Sequence, residues 1–305
     1  MFFKNLVLYR LAEPTHLDAL ALEPLLETCG FRPCGGLEPF SYGFDAPLGR
    51  MRAGGATEGE ALVHAAGGRM LVCARREERL LPAAVVREAM DNRIAEVESK
   101  EFRTVHRKER QRIRDDVTFE LLPRAFTKSV RTYAYICPAD GWVVVDAATP
   151  SKAEDLANLL AHAAEGLAIV PYVPDSPVAS KLTEWLRSGD LPNGIDFLDE
   201  CEMRDPAHEG SLVRCQRQDL VSEEIRAHLR AKKEVRRLGL KYEDQFSFAL
   251  TADLQIKRLR FEGVEPTDEL GDVDEAARLD ADFAFMTAAL GPLLRRLLQI
   301  FGEAA

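Results

Sequence analysis

The chain has 305 residues, 46% of them hydrophobic and 30% charged, and a formal net charge of -10 at pH 7. That length and balance supply the core of an ordinary globular protein with two or more subdomains. No apolar run is long enough to span a bilayer, and Lys4 and Arg10 interrupt the apolar start, so neither a membrane anchor nor a signal peptide is predicted and a cytoplasmic protein is expected.

The first strand is predicted over Phe3 to Leu11, ending at Pro14-Thr15. Thr15 is the expected cap of a helix carrying Leu17, Leu20, Leu22, Leu25 and Leu26, which ends near Gly30. Phe31 to Gly36 reads as a turn, and residues 37–60, rich in Gly and Pro, as loop with short strand pieces. Arg69 to Arg75 follows the Gly67-Gly68 turn as a second strand. Pro82 opens a helical tract that runs to Leu122. Val86, Met90, Ile94 and Val97 recur at helical spacing, and beyond Lys100 the tract is polar and arginine-rich. It predicts either a projecting arm or two helices folded as a hairpin. Pro123 ends it, leaving Arg124 and Phe126 beside a turn, where Phe126 serves either an interface or the local core.

Thr132 to Cys137 and Gly141 to Val145 predict a β-hairpin. Ser151 to Glu154 has the pattern of a capping box, opening a helix with Leu156, Leu159 and Leu160 on one side. A strand over Leu167 to Val173 and a short helix around Leu182 to Leu186, closed by Gly189, come next. Asp190 to Glu209 is acidic and reads as loop, with Asp196, Asp199, Glu200, Glu202 and Asp205. Leu212 to Cys215 is a short strand, Ser222 starts a helix, and Leu238 to Tyr242, Phe246 to Leu250 and Ile256 to Phe261 read as antiparallel strands. Strict alternation places Ile256, Arg258 and Arg260 on one face of the last. After an acidic stretch, an apolar helix from about Asp274, containing Pro292, is expected to pack on a sheet. The fold class is α+β, with mixed or antiparallel sheets. The segments are residues 1–81, a helical arm at 82–122, and residues 123–305, separate or intertwined in one unit.

Arg214 to Phe261 is basic within this acidic chain. It reads either as a localised positive surface facing a polyanion or as a solvated helix and strands with ordinary surface charge. Catalytic signatures are lacking. There is no GxxxxGK[ST], HExxH, CxxC or GxSxG, and the six histidines are isolated in sequence. No cofactor and no metal are expected. Glu58 and Glu60, or the acidic loop at 196–205, are the only carboxylates weighed for the Mg2+ of a nuclease, and carboxylates in loops are far more often solvating groups. The six cysteines form no CxxC pair and predict no disulfide framework; most read as small core residues.

The segments FKNLVLYRL at 3–11, FRPCG at 31–35, LVCARREERLLP at 71–82, LLPRAF at 121–126, VDAATPSKAED at 145–155, LTEWLRSG at 182–189, RQDLVSEEI at 217–225, IKRLRF at 256–261 and LDADFAFMTAAL at 279–290 carry a resemblance in their order and spacing. Through them the sequence resembles, over essentially its whole length, the recombination-associated RdgC family. The resemblance implies a non-enzymatic protein that binds DNA with little sequence preference. It implies also a ring-shaped homodimer around duplex DNA, nucleoid association, and restraint of the RecA recombinase. Single-stranded DNA stays open as a ligand, and a metal-dependent nuclease or other recombination enzyme is the alternative. The expected phosphate contacts are Arg214, Arg217, Lys232, Lys233, Arg236, Lys257, Arg258 and Arg260, with Arg75 and Arg76 as additions. Arg124, Phe126, Arg217 and Gln218 are the expected interface or gate of the ring; the competing reading of Gln218 is a helix cap.

Overall fold

The computed structural model describes residues 2–12, 17–48, 61–208, 210–263 and 275–302. In chain order, β1 (Leu6–Leu11), α1 (Ala19–Glu27), β2 (Phe40–Asp45), β3 (Val63–Ala66) and β4 (Arg69–Leu80) come first. The helices α2 (Ala83–Glu101) and α3 (Arg107–Leu121) follow, then β5 (Phe126–Cys137), β6 (Trp142–Asp146), α4 (Pro150–Ala163), β7 (Ile169–Pro171) and α5 (Val178–Ser188). The remaining elements are β8 (Ile195–Arg204), β9 (Leu212–Gln216), α6 (Glu223–Arg230), β10 (Glu234–Tyr242), β11 (Phe246–Thr251), β12 (Ile256–Phe261) and α7 (Glu275–Phe301).

The strands form one 12-stranded sheet in the order β2-β4-β5-β6-β1-β12-β11-β10-β8-β9, with β3 added to β4 and β7 to β1. Its ladders are antiparallel, as in an α+β fold. The first and third sequence segments share this sheet: β5 pairs β4 along its full length, and β6 pairs β1. The helical tract leaves between β4 and β5 and returns, as a hairpin of α2 and α3. Phe102 turns the chain there in a left-handed conformation, and Ile94, Val105, Ile113 and Val117 make a small core of the hairpin's own.

Two larger cores lie on opposite faces of the sheet. Leu22 and Leu26 of α1 and Leu156 and Leu160 of α4 pack on Val72, Ile136 and Val143. On the other face Leu182 and Trp185 of α5, Ile225 and Leu229 of α6, and Phe283, Leu290 and Leu297 of α7 cover a core that reaches from Leu71 and Tyr135 to Phe246 and Leu250. Burying aliphatic and aromatic side chains at about 1.5–3 kcal/mol each makes these clusters the main source of stability.

Several local expectations are corrected. Asp18 caps α1, accepting from the Ala21 N–H at 2.8 Å, while Thr15 lies outside the described residues. Only Leu22 and Leu26 of the predicted leucine face are buried; Leu20 is 88% exposed. α4 starts at Pro150 with Thr149 as N-cap, so Ser151 lies inside the first turn. Proline's fixed φ suits the first helical position and sets the start there. The acidic stretch after Asp190 is largely strand, not loop. In β8, Ile195, Cys201 and Met203 are buried, and the carboxylates of Glu200 and Glu202 find arginine partners on the opposite side. β12 does not alternate strictly. Arg258 has φ +53°, and the ladder to β11 gains one residue there. This bulge puts Ile256 and Leu259 both into the core and leaves both Arg258 and Arg260 exposed.

Candidate nucleic-acid interface

Among the described residues, the half of the sheet formed by β12, β11, β10, β8 and β9 is covered by helices on one face, by α5, α6 and α7. The other face carries Glu200 and Glu202 from β8, Arg214 and Gln216 from β9, Arg237 and Lys241 from β10, Ser247 and Ala249 from β11, and Arg258 and Arg260 from β12. Near its centre Gly239 pairs directly with Ala249, and both are buried. A Cβ at Gly239 would lie 2.7 Å from Glu200 Cγ, so glycine is what allows the Glu200 side chain to lie across β10. Glu200 thereby reaches over the trough and forms an ion pair with Arg258. Ser247, Ala249, Glu200, Arg217, Arg258 and Arg260 line this depression of about 390 Å3.

The cations of the basic segment divide by their partners. Arg214 Nε meets Glu202 at 2.9 Å, and Arg237 meets the same carboxylate at 3.4 Å. Arg258 is held by Glu200, and Lys257 donates from Nζ to the Ala148 carbonyl at 2.8 Å. Burial pushes the Lys257 ammonium below its ordinary pKa. Arg217, Lys232, Arg236 and Arg260 form no ion pair among the described residues, and Lys233 only lies near Asp205. Arg217, with φ +56°, directly follows β9 and stands exposed at the rim of the trough. Arg236 sits apart, beside Arg204, Asp205 and Glu234.

Arg75 and Arg76 lie in the other half of the sheet and are engaged. Arg75 meets Asp45 at 3.5 Å and Glu77 at 3.4 Å, and its guanidinium lies 4.4 Å from the Phe31 ring. Arg76 meets Glu78 at 3.8 Å and lies over Phe40. Phe126 begins β5 and is 84% exposed, so the local-core reading of it fails; Arg124 beside it is exposed too. The Gln218 N–H donates to the Asp199 carbonyl at 3.2 Å, and its side-chain amide donates to Glu224 in the first turn of α6. Within one chain Phe126 and Gln218 are not brought together: six strands separate β5 from β9 in the sheet.

Among the described residues no group of three or more His, Cys, Asp or Glu side chains converges to hold a metal ion. Glu200 and Glu202 are committed to arginines, and Glu58 and Glu60 lie outside the described residues. No described helix is long and apolar enough to cross a membrane.

Sequence comparison matches residues 1–304 to the profile described as "Putative exonuclease, RdgC". The chain belongs to the RdgC family. It is 41% identical to the recombination-associated protein RdgC of Tolumonas auensis, over 99% of this chain and 98% of the relative. It is 40% identical to the protein of that name from Aeromonas hydrophila and 42% identical to that from Halorhodospira halophila, each over 99% of this chain and 98% of the relative. The match therefore takes in the helical hairpin as well as the whole sheet.

Proposed function

We propose that this RdgC-family protein is a non-enzymatic DNA-binding protein that encircles duplex DNA as a homodimeric ring. Bound there without sequence preference, it acts in homologous recombination by restraining RecA at the nucleoid. The recombination role is supported by the names of its relatives. The observation that carries DNA binding is the trough on the sheet face opposite α5, α6 and α7. Ser247 and Ala249 line it, Asp199 and Glu200 border it, and Arg217 and Arg260, which form no ion pair among the described residues, stand at its rim. Such a surface meets a phosphate backbone with flexible cations, which neutralise charge without reading bases. A ring of two chains needs two self-complementary contacts. The far end of the α2–α3 hairpin supplies one, and the sheet or α7 supplies the other, with Arg124, Phe126 and Gln218 closing the gate.

The description attached to the family profile favours a second reading, an exonuclease. Incubating end-labelled duplex with the protein and Mg2+ separates the two. The binding protein retards the DNA and releases it intact after protein digestion, with single-stranded DNA as a parallel arm. Progressive loss of label from the ends would establish the nuclease instead.

A further inference from the structure

Cys201 on β8 and Cys215 on β9 are directly opposite each other in the antiparallel ladder. Both are buried and both point into the core beneath α5 and α6. Cys215 is the side chain that, after burial itself, does most to push the Cys201 thiol up. Directly opposed residues of an antiparallel pair have Cα atoms about 4.5–5.5 Å apart, inside the roughly 4.4–6.8 Å that a disulfide spans. No other buried cysteine of this chain is so placed: Cys73 faces Tyr133 across its ladder and Cys137 faces Trp142. Cys34 donates to the Glu77 carbonyl at 3.1 Å, in another part of the sheet.

We propose that Cys201 and Cys215 are a redox modification site, oxidised by hydroperoxides to a reversible disulfide that staples β9 to β8. The step balances with hydrogen peroxide as the oxidant. One sulfur attacks the peroxide, the O–O bond breaks, and a sulfenic acid and one water result. The second sulfur then displaces the sulfenic hydroxyl, the S–S bond forms, and a second water leaves. Both sulfurs are oxidised and both peroxide oxygens are reduced. Access comes from the edge position of β9, which among the described strands pairs with β8 alone. Burial pushes the Cys201 thiol up to about 12, so thiolate is scarce at neutral pH and oxidation is slow. The site responds to sustained oxidant rather than to brief pulses. The next pair in the ladder is Glu202 with Arg214, so the staple clamps the strand that holds that ion pair.

The test uses the full chain, equilibrated with hydrogen peroxide at pH 8, quenched, and alkylated in denaturant. Alkylatable thiols should fall from the six of the sequence to four, peptide mapping should return one intrachain link between Cys201 and Cys215, and dithiothreitol should restore all six. In Cys215→Ser the five remaining thiols should survive the same treatment. Six thiols after equilibration of the wild-type protein, or links confined to Cys29, Cys34 or different chains, would overturn the proposal. The wild-type map decides even if the variant fails to fold.

Discussion

Glu202 sets how much of the basic segment's charge is free. It holds Arg214 and Arg237 together, as Glu200 holds Arg258, so three arginines of this face meet carboxylates of the protein itself. Glu202→Gln removes one negative charge and releases two guanidiniums. Duplex affinity should rise several-fold, with a steeper dependence on salt. Stability should change by about 1 kcal/mol or less, since partly exposed ion pairs contribute little. Fluorescence anisotropy and thermal melting measure the two effects, and unchanged affinity would mean that these arginines do not face DNA. Phe126 makes the opposite test. A buried phenylalanine loses about 3–5 kcal/mol on truncation, but at 84% exposure Phe126→Ala should alter stability by only about 0.5 kcal/mol. Light scattering should instead show loss of the species at twice the 34.0 kDa chain mass, with faster release of DNA. The cations of this site were legible in the sequence. Their partners were not, because the carboxylates come from a strand whose acidic residues read as loop, and Glu200 crosses Gly239 only once β8 and β10 are paired.

The α2–α3 hairpin is an insertion between neighbouring strands. β4 and β5 stay in register to the Leu80–Phe126 pair at their ends, and the helices keep a core of their own. Replacing residues 81–125 with a two-residue Asn-Gly turn should therefore leave the sheet folded. Circular dichroism should show loss of helix with strand signal retained, and dimerisation should weaken; an unfolded product would show that the hairpin is integral to the sheet. The helical tract was readable, as a projecting arm or a hairpin, because Pro82 and Pro123 bracket an uninterrupted helical pattern. Which of the two it forms was not, since the turn at Phe102 uses a left-handed phenylalanine rather than glycine. Three other features escaped for comparable reasons. β3 is only four residues long, and β8 hides its apolar alternation behind carboxylates. The bulge at Arg258 breaks the period of two by a single residue, which local sequence does not announce.

At the scale of the whole molecule, a net charge of -10 is compatible with DNA binding only if a local field attracts phosphate where the overall field repels it. In the proposed function that field lies on the face of the sheet's C-terminal half opposite α5, α6 and α7, where Arg217 and Arg260 form no ion pair among the described residues. The measurement that bears on this most directly is duplex affinity against log salt, for unrelated sequences, in the wild-type protein and in the double variant Arg217→Ala/Arg260→Ala. The wild type should give one steep slope shared by all duplexes. The variant, folded to the same melting temperature, should lose affinity equally for each sequence, with the slope shallower by about 0.9 per lost phosphate contact in each protomer. An unchanged slope and affinity in the folded variant would contradict the account, since DNA would then be held elsewhere on the molecule.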